Sequence, residues 1–110
     1  MARAKKEISL QAEVEMTIVL STVAESFGLS MAELRGGTRS RAVVLPRQIA
    51  MYLAKQMTAA SLQEIGNEFG GKHHTTVMHS IAKINEQRRM DQNLDRAVTT
   101  LLEKFRPPAT

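Results

Sequence analysis

The chain has 110 residues, 43% hydrophobic and 24% charged, with no cysteine. That is the make-up of one ordinary folded domain, and it excludes disulfides, thiolate metal sites and any chemical sign of an oxidising compartment. The net charge of +4 is unevenly spread: Leu34 to Gln63 holds no acid but includes Arg35, Arg39, Arg41, Arg47 and Lys55, and from Lys72 to Arg89 four basic residues face only Glu86.

Met1 to Leu10 is basic at Arg3, Lys5 and Lys6 but is not followed by an apolar run long enough for a signal peptide or a membrane span, so a cytoplasmic location fits best. Residues 1–8 read as a basic tail, 9–106 as one helical domain and 107–110 as a short tail. From Ser9 to Phe27 the apolar positions Ala12, Met16, Val19, Val23 and Phe27 recur every three or four residues, predicting a long first helix over 9–27 that Gly28 ends. Ser30 and Glu33 have capping-box spacing and start a short helix that Gly36 and Gly37 stop. A basic, hydroxyl-rich loop follows over Thr38 to Val44. Pro46 then suits the first turn of a helix running to about Met57, with Ile49, Ala50, Leu53 and Met57 as its apolar stripe.

Ser61 and Glu64 repeat the capping-box spacing and start a helix that ends at Phe69, before Gly70 and Gly71. The next helix, from about His73 to Arg89, buries Val77, Ile81 and Ile84 and presents Thr75, His79 and Lys83 on a separate stripe. Asp91 is placed to cap a last helix whose stripe is Leu94, Val98, Leu101 and Phe105, closed by Pro107 and Pro108. With no strand signal or repeat, these elements predict an all-α fold of about six helices.

The segment with the strongest functional signal is the short helix Ser61 to Phe69, the turn Gly70-Gly71-Lys72, and the helix opening His73-His74-Thr75-Thr76. This is helix-turn-helix grammar, in which the second helix enters the major groove amino end first. Thr75 and Thr76 suit a thymine methyl, a base edge or a phosphate, His74 offers a ring nitrogen and an apolar face, and Lys72 stands beside amide groups that attract phosphate. Concentrated positive charge binds phosphate backbones through counterion release. Each signal also has a plainer reading: the polar cluster as an ordinary N-cap, and the charge as a solvated face. His73, His74 and His79 lack metal-ligand spacing, no nucleophile, base and orienting group recur together, and no cofactor is indicated, so neither a metal site nor an enzyme is expected.

Pro46 to Ala54 (PRQIAMYLA), Ser61 to Gly66 (SLQEIG) and Phe69 to Val77 (FGGKHHTTV) resemble the C-terminal DNA-binding domain of the DnaA replication-initiator family, over about Thr22 to Lys104. The resemblance implies a compact, Trp-repressor-like helical domain that binds short boxes in double-stranded DNA at replication origins. It places the helix after the turn in the major groove and a basic loop in the adjacent minor groove. Carried over by position, Arg39 is the minor-groove arginine with Arg41 beside it, and Arg47 and Gln48 face DNA at a helix start. Lys55 contacts phosphate, Leu62 packs near DNA, and His74, Thr75 and Thr76 read bases and phosphates.

Three positions depart from the family pattern. His73 stands where an acidic residue is usual, Leu45 where a basic one is, and Gln63 where proline is. Aspartate accepts from cytosine N4 whereas histidine is able to donate, so the preferred base at one position should differ. No Gly-x-x-x-x-Gly-Lys-[Ser/Thr] phosphate loop occurs in the chain, so ATP-driven assembly would need an ATPase domain in a longer parent protein. A free-standing regulator or competitor at the same boxes is the alternative role. From another class, the stripe of the first helix would serve as a protein- or membrane-interaction face, although no stable membrane association is expected.

Overall fold

The computed structural model describes residues 14–37 and 39–105, which form six α-helices and no strand among them. They are α1 (Met16–Phe27), α2 (Met31–Arg35), α3 (Arg41–Met57), α4 (Leu62–Glu68), α5 (His74–Met90) and α6 (Gln92–Lys104). The tails predicted at 1–8 and 107–110 lie outside the described residues, as do the closing prolines.

Three helix starts and one helix end are made by the capping chemistry that the sequence spells out. Ser30 accepts from Glu33 N–H at 3.0 Å while Glu33 accepts from Ser30 N–H at 2.9 Å. Ser61 and Glu64 make the same reciprocal pair at 3.1 and 2.8 Å, satisfying donors that a helix start otherwise leaves unmet. Asp91 caps α6 through Asn93 and Leu94 N–H, and Gly28 ends α1 at φ +66°, a left-handed conformation open to glycine at little cost.

Hydrogen bonding to Ser61 holds the fully exposed Glu64 carboxyl below the usual carboxylate range. A depressed folded-state value means the stabilisation is present above the unfolded carboxylate range and is lost as pH falls through the folded value. The expected result is that the Tm gap between the protein and Glu64→Ala, measured between about pH 7 and pH 3, closes at the acid end. A gap that stays constant would show that the charge of Glu64 contributes nothing.

The first helix differs from expectation. It begins at Met16, because Glu15 is extended (ψ 144°) and Val14 N–H donates to the Met57 carbonyl at 2.9 Å, tying the chain to the end of α3. Residues 9–13 of the predicted long helix lie outside the described residues. The buried face is Val19, Leu20, Val23 and Ala24, whereas Phe27 is turned partly outward. Val19, Leu20, Val23 and Ala24 are core, packed against α3, so this part of the stripe is not available as a docking face for membranes or partners. Among the described residues no helix is long and apolar enough to cross a membrane.

Helix α3 also starts earlier than predicted, since Ser40 accepts from Ala42 N–H at 3.3 Å and winds Arg41 to Leu45 into helix. Pro46 therefore sits beyond the first turn, where its missing N–H leaves the exposed Ala42 carbonyl to solvent. Ile49 to Ala54 are all buried, so α3 is a central rod rather than a one-sided helix, with α1, α2, α4 and α5 packed around it. The predicted stripes of α5 and α6 hold: Val77, Ile84, Leu94, Val98 and Leu101 are buried, and Ile81 and Phe105 pack partly buried against them.

Candidate nucleic-acid interface

Helices α4 and α5 are joined by a turn built on one carbonyl. Gly66 oxygen accepts from the N–H groups of Phe69, Gly71 and Lys72 at 3.1, 3.1 and 2.9 Å, and Gly70 and Gly71 both adopt φ +79°. Such a turn needs glycine at the two left-handed positions. Gly66 is required for a different reason, since a Cβ there would fall on the Lys72 carbonyl and within 3.5 Å of Val77 Cγ2. Helix α5 is thereby seated tightly on α4, with Ile65, Phe69 and Val77 sealed beneath the turn. Leu62, the first residue of α4, is half-buried against this core.

His73 is the N-cap of α5. Its Nδ1 accepts from Thr75 N–H at 3.2 Å and lies 2.8 Å from Thr75 Oγ1. Both contacts exist together only if Nδ1 carries no proton, which assigns the ring to the Nε2–H tautomer and makes the Thr75 hydroxyl a donor to it. Thr75 then offers an outside partner its methyl group and oxygen lone pairs rather than its proton. His73, His74 and Thr76 are exposed and Thr75 is half-buried. The two imidazole rings lie 4.3 Å apart at 33°. His79 and Lys83 continue the exposed side of α5, while Val77, Ser80 and Ile84 are buried.

The structure sorts the basic residues into two groups. Arg47 is only 5% exposed, and its guanidinium reaches back to α2, donating to the Leu34 carbonyl at 2.8 Å and the Glu33 carbonyl at 3.0 Å. The expectation that Arg47 faces DNA is therefore corrected: it satisfies carbonyls that the last turn of the five-residue α2 leaves unmet. Burial lowers its pKa, but a guanidinium stays charged. Arg35 pairs with Glu68 at 3.0 Å. Arg88 donates to Asp95, Tyr52 Oη and Thr99 Oγ1 at 2.7, 2.9 and 3.1 Å, locking α5 to α3 and α6. Burial works against its charge, but the hydrogen bonds to Asp95 and Tyr52 prevail and raise its pKa.

The other group is Arg39, Arg41, Lys55, Lys72, Lys83, Arg89, Arg96 and Lys104, which form no salt bridge among the described residues. All but the half-buried Lys72 are exposed. Arg41, Gln48 and Lys83 line one open cleft of about 700 Å³ among the start of α3, the later half of α5, the start of α6 and the end of α1, with Phe27, Leu45 and the acidic Asp91 also in its wall. This joins the start of α3 to the exposed stripe of α5. Arg39 lies just before that rim, at the approach to α3. Lys55 is in the last turn of α3, and no hydrogen bond or ion pair among the described residues ties it to the rest.

Sequence reasoning passed over Gly66, whose signal was a glycine inside a capped helix, and the capping role of His73, signalled by its place just before a helix start.

A short capped helix, a glycine turn and a second helix with polar first-turn residues define a helix-turn-helix domain. Residues 16–84 match the family described as the bacterial DnaA protein helix-turn-helix. The chain belongs to that family. It is 45% identical to the chromosomal replication initiator protein DnaA of Levilactobacillus brevis over 93 residues, covering 84% of this chain and 21% of that protein. Against the protein of the same name from Latilactobacillus sakei the identity is 48%, covering 81% of this chain and 20% of that one. Against that from Lactobacillus acidophilus it is 52%, covering 76% and 18%. The chain thus spans about a fifth of the length of the relatives it matches.

Proposed function

We propose that the domain binds double-stranded DNA sequence-specifically at short initiator-type boxes, with the amino end of α5 in the major groove and Arg39 in the neighbouring minor groove. The observation that carries this reading is the pairing pattern of the basic residues. Arg35, Arg47 and Arg88 are engaged within the fold, while Arg41 and Lys83 share a cleft that continues the exposed stripe of α5. Cations without ion-pair partners bind phosphates without first breaking an internal contact. Membership of the DnaA family supports the same surface, and a narrow A·T minor groove is the setting that favours an inserted arginine.

In this reading His74, Thr76 and the methyl face of Thr75 meet base edges. Arg41, Gln48, Lys55, Lys72, His79 and Lys83 hold the backbone, and Leu62 packs near it. The domain would work at the nucleoid in the cytoplasm during replication initiation. The chain has no phosphate-binding loop, so any nucleotide-driven step falls to another domain or chain.

A fluorescence anisotropy titration tests the reading. A duplex bearing an initiator box should bind more tightly than a scrambled duplex at moderate salt, and equal affinity would refute specificity. Arg39→Ala and Thr75→Ala should each cost about 1–3 kcal/mol on the box, whereas Lys55→Ala should weaken both duplexes alike and reduce the salt slope by about one. Equal losses on both duplexes for all three variants would contradict these roles.

A further inference from the structure

We infer that the cleft among α1, α3, α5 and α6 docks an acidic amphipathic helix of a partner protein, and that this helix and DNA exclude each other. The docking site goes beyond the DNA-binding reading above and rests on it only for the exclusion.

Among the described residues five large apolar side chains stand out to solvent, and three of them, Phe27, Leu45 and Met90, line this one cleft of about 700 Å³. Met90, the last residue of α5, is 78% exposed. Leu45 has no part in the DNA-binding reading, because an apolar side chain offers phosphate nothing. Apolar side chains gathered at the surface in this way, with a polar rim, mark a contact with another molecule.

Length and charge specify the occupant. A second cleft of about 370 Å³ shares Phe27 and Ala97 with the first and continues to Leu101 and Lys104. The apolar floor along α6 thus runs from Leu94 through Ala97 to Leu101, about 10 Å of helix. A docked helix whose anchors lie at i, i+3 or i+4 and i+7 covers the same length. The rim carries Arg41 and Lys83 beside the first cleft and Lys104 beside the second, none of them in a salt bridge. Asp91, the only acid lining either cleft among the described residues, is committed as the cap of α6, accepting from Asn93 and Leu94 N–H.

Unpaired cations around an apolar floor complement carboxylates that flank an apolar stripe. A second copy of this chain fits less well, since a symmetric pair would bring Arg41 and Lys83 toward the same cations. Carboxylates bound at Arg41 and Lys83 would take the two groups that the DNA-binding reading assigns to the phosphate backbone. The exclusion follows from that sharing.

The test is selection from a displayed library of helix-forming peptides with the full chain as bait, followed by anisotropy titration of the leading peptide, labelled with fluorescein. Enriched peptides should carry apolar residues at i, i+3 or i+4 and i+7 flanked by Asp and Glu. The double variant Leu45→Gln, Met90→Gln should weaken the peptide by about tenfold or more, because it removes two apolar anchors. Glutamine is a good helix former at these exposed positions, so the variant keeps its fold, which circular dichroism verifies, and its affinity for duplex DNA should be unchanged. A box duplex should displace the peptide.

No enrichment, enriched peptides without acidic residues, peptide binding that the double variant leaves intact, or a duplex that binds without displacing the peptide would each overturn the inference. Self-association of the free chain that the same substitutions abolish would also overturn it, in favour of a second copy. All these outcomes leave the DNA-binding reading standing. If the peptide docks as described but a box duplex binds no better than a scrambled one, that reading fails and the docking site stands.

Discussion

Replacing Gly66 with alanine is expected to lower stability by about 3 kcal/mol or more, and the Tm by roughly 15 °C. Two effects oppose each other. Alanine is favoured over glycine inside a helix by up to about 1 kcal/mol. Against this, the new methyl group would meet the Lys72 carbonyl, which is backbone, inside a turn in which the N–H groups of Phe69, Gly71 and Lys72 all donate to the Gly66 oxygen. Flexible side chains relieve overlap cheaply, but here α5 must lift away from α4, uncovering Val77 and Phe69. Tightened thermal unfolding, or a Tm unchanged within 2–3 °C, a margin of about half a kcal/mol, would show that the turn has slack the geometry does not indicate. Gly71→Ala is the comparison: its Cβ meets nothing within 4 Å, so only the left-handed backbone conformation is penalised, by about 1–2 kcal/mol.

Arg47→Ala is expected to destabilise the fold by about 2–4 kcal/mol, a Tm loss of roughly 10 °C or more. The Leu34 and Glu33 carbonyls would lose their donors, and a space would open between α2 and α3. Lysine should not restore the loss fully, because one ammonium group cannot reproduce two N–H bonds in a fixed plane. DNA titration separates this role from a phosphate contact. At a temperature where the variant is still folded, the salt slope of binding should match that of the unaltered protein. A slope reduced by about one with unchanged Tm would return Arg47 to the DNA surface.

Much of the architecture was legible in the chain because it depends on neighbours a few residues apart. Ser30 with Glu33, Ser61 with Glu64, and Asp91 with Asn93 and Leu94 are contacts within one helical turn, and each lies where its spacing places it. The stripes of α5 and α6 are legible for the same reason. The helix-turn-helix could be read from capped start, paired glycines and polar first turn, all within 16 residues from Ser61 to Thr76.

Misreadings arose where a distant partner decides. Pro46 suggested a helix start, yet Ser40 begins α3 a turn earlier and the surrounding helices hold the proline inside it. The first helix begins where Val14 is tied to Met57, 43 residues later in number, rather than where apolar spacing begins. Periodicity reports only that a face is apolar and cannot say what will cover it.

The chain by itself determined an all-α domain, its cap positions and a helix-turn-helix with basic surroundings, since these follow from backbone hydrogen bonding and side-chain spacing at short range. Only the tertiary structure decided which cations remain at the surface. Arg47 finds its carbonyls 13 and 14 residues away and Arg88 its tyrosine 36 away. Whether an arginine serves the fold or faces outward depends on what another helix brings to it, and a charge count along the chain cannot carry that information.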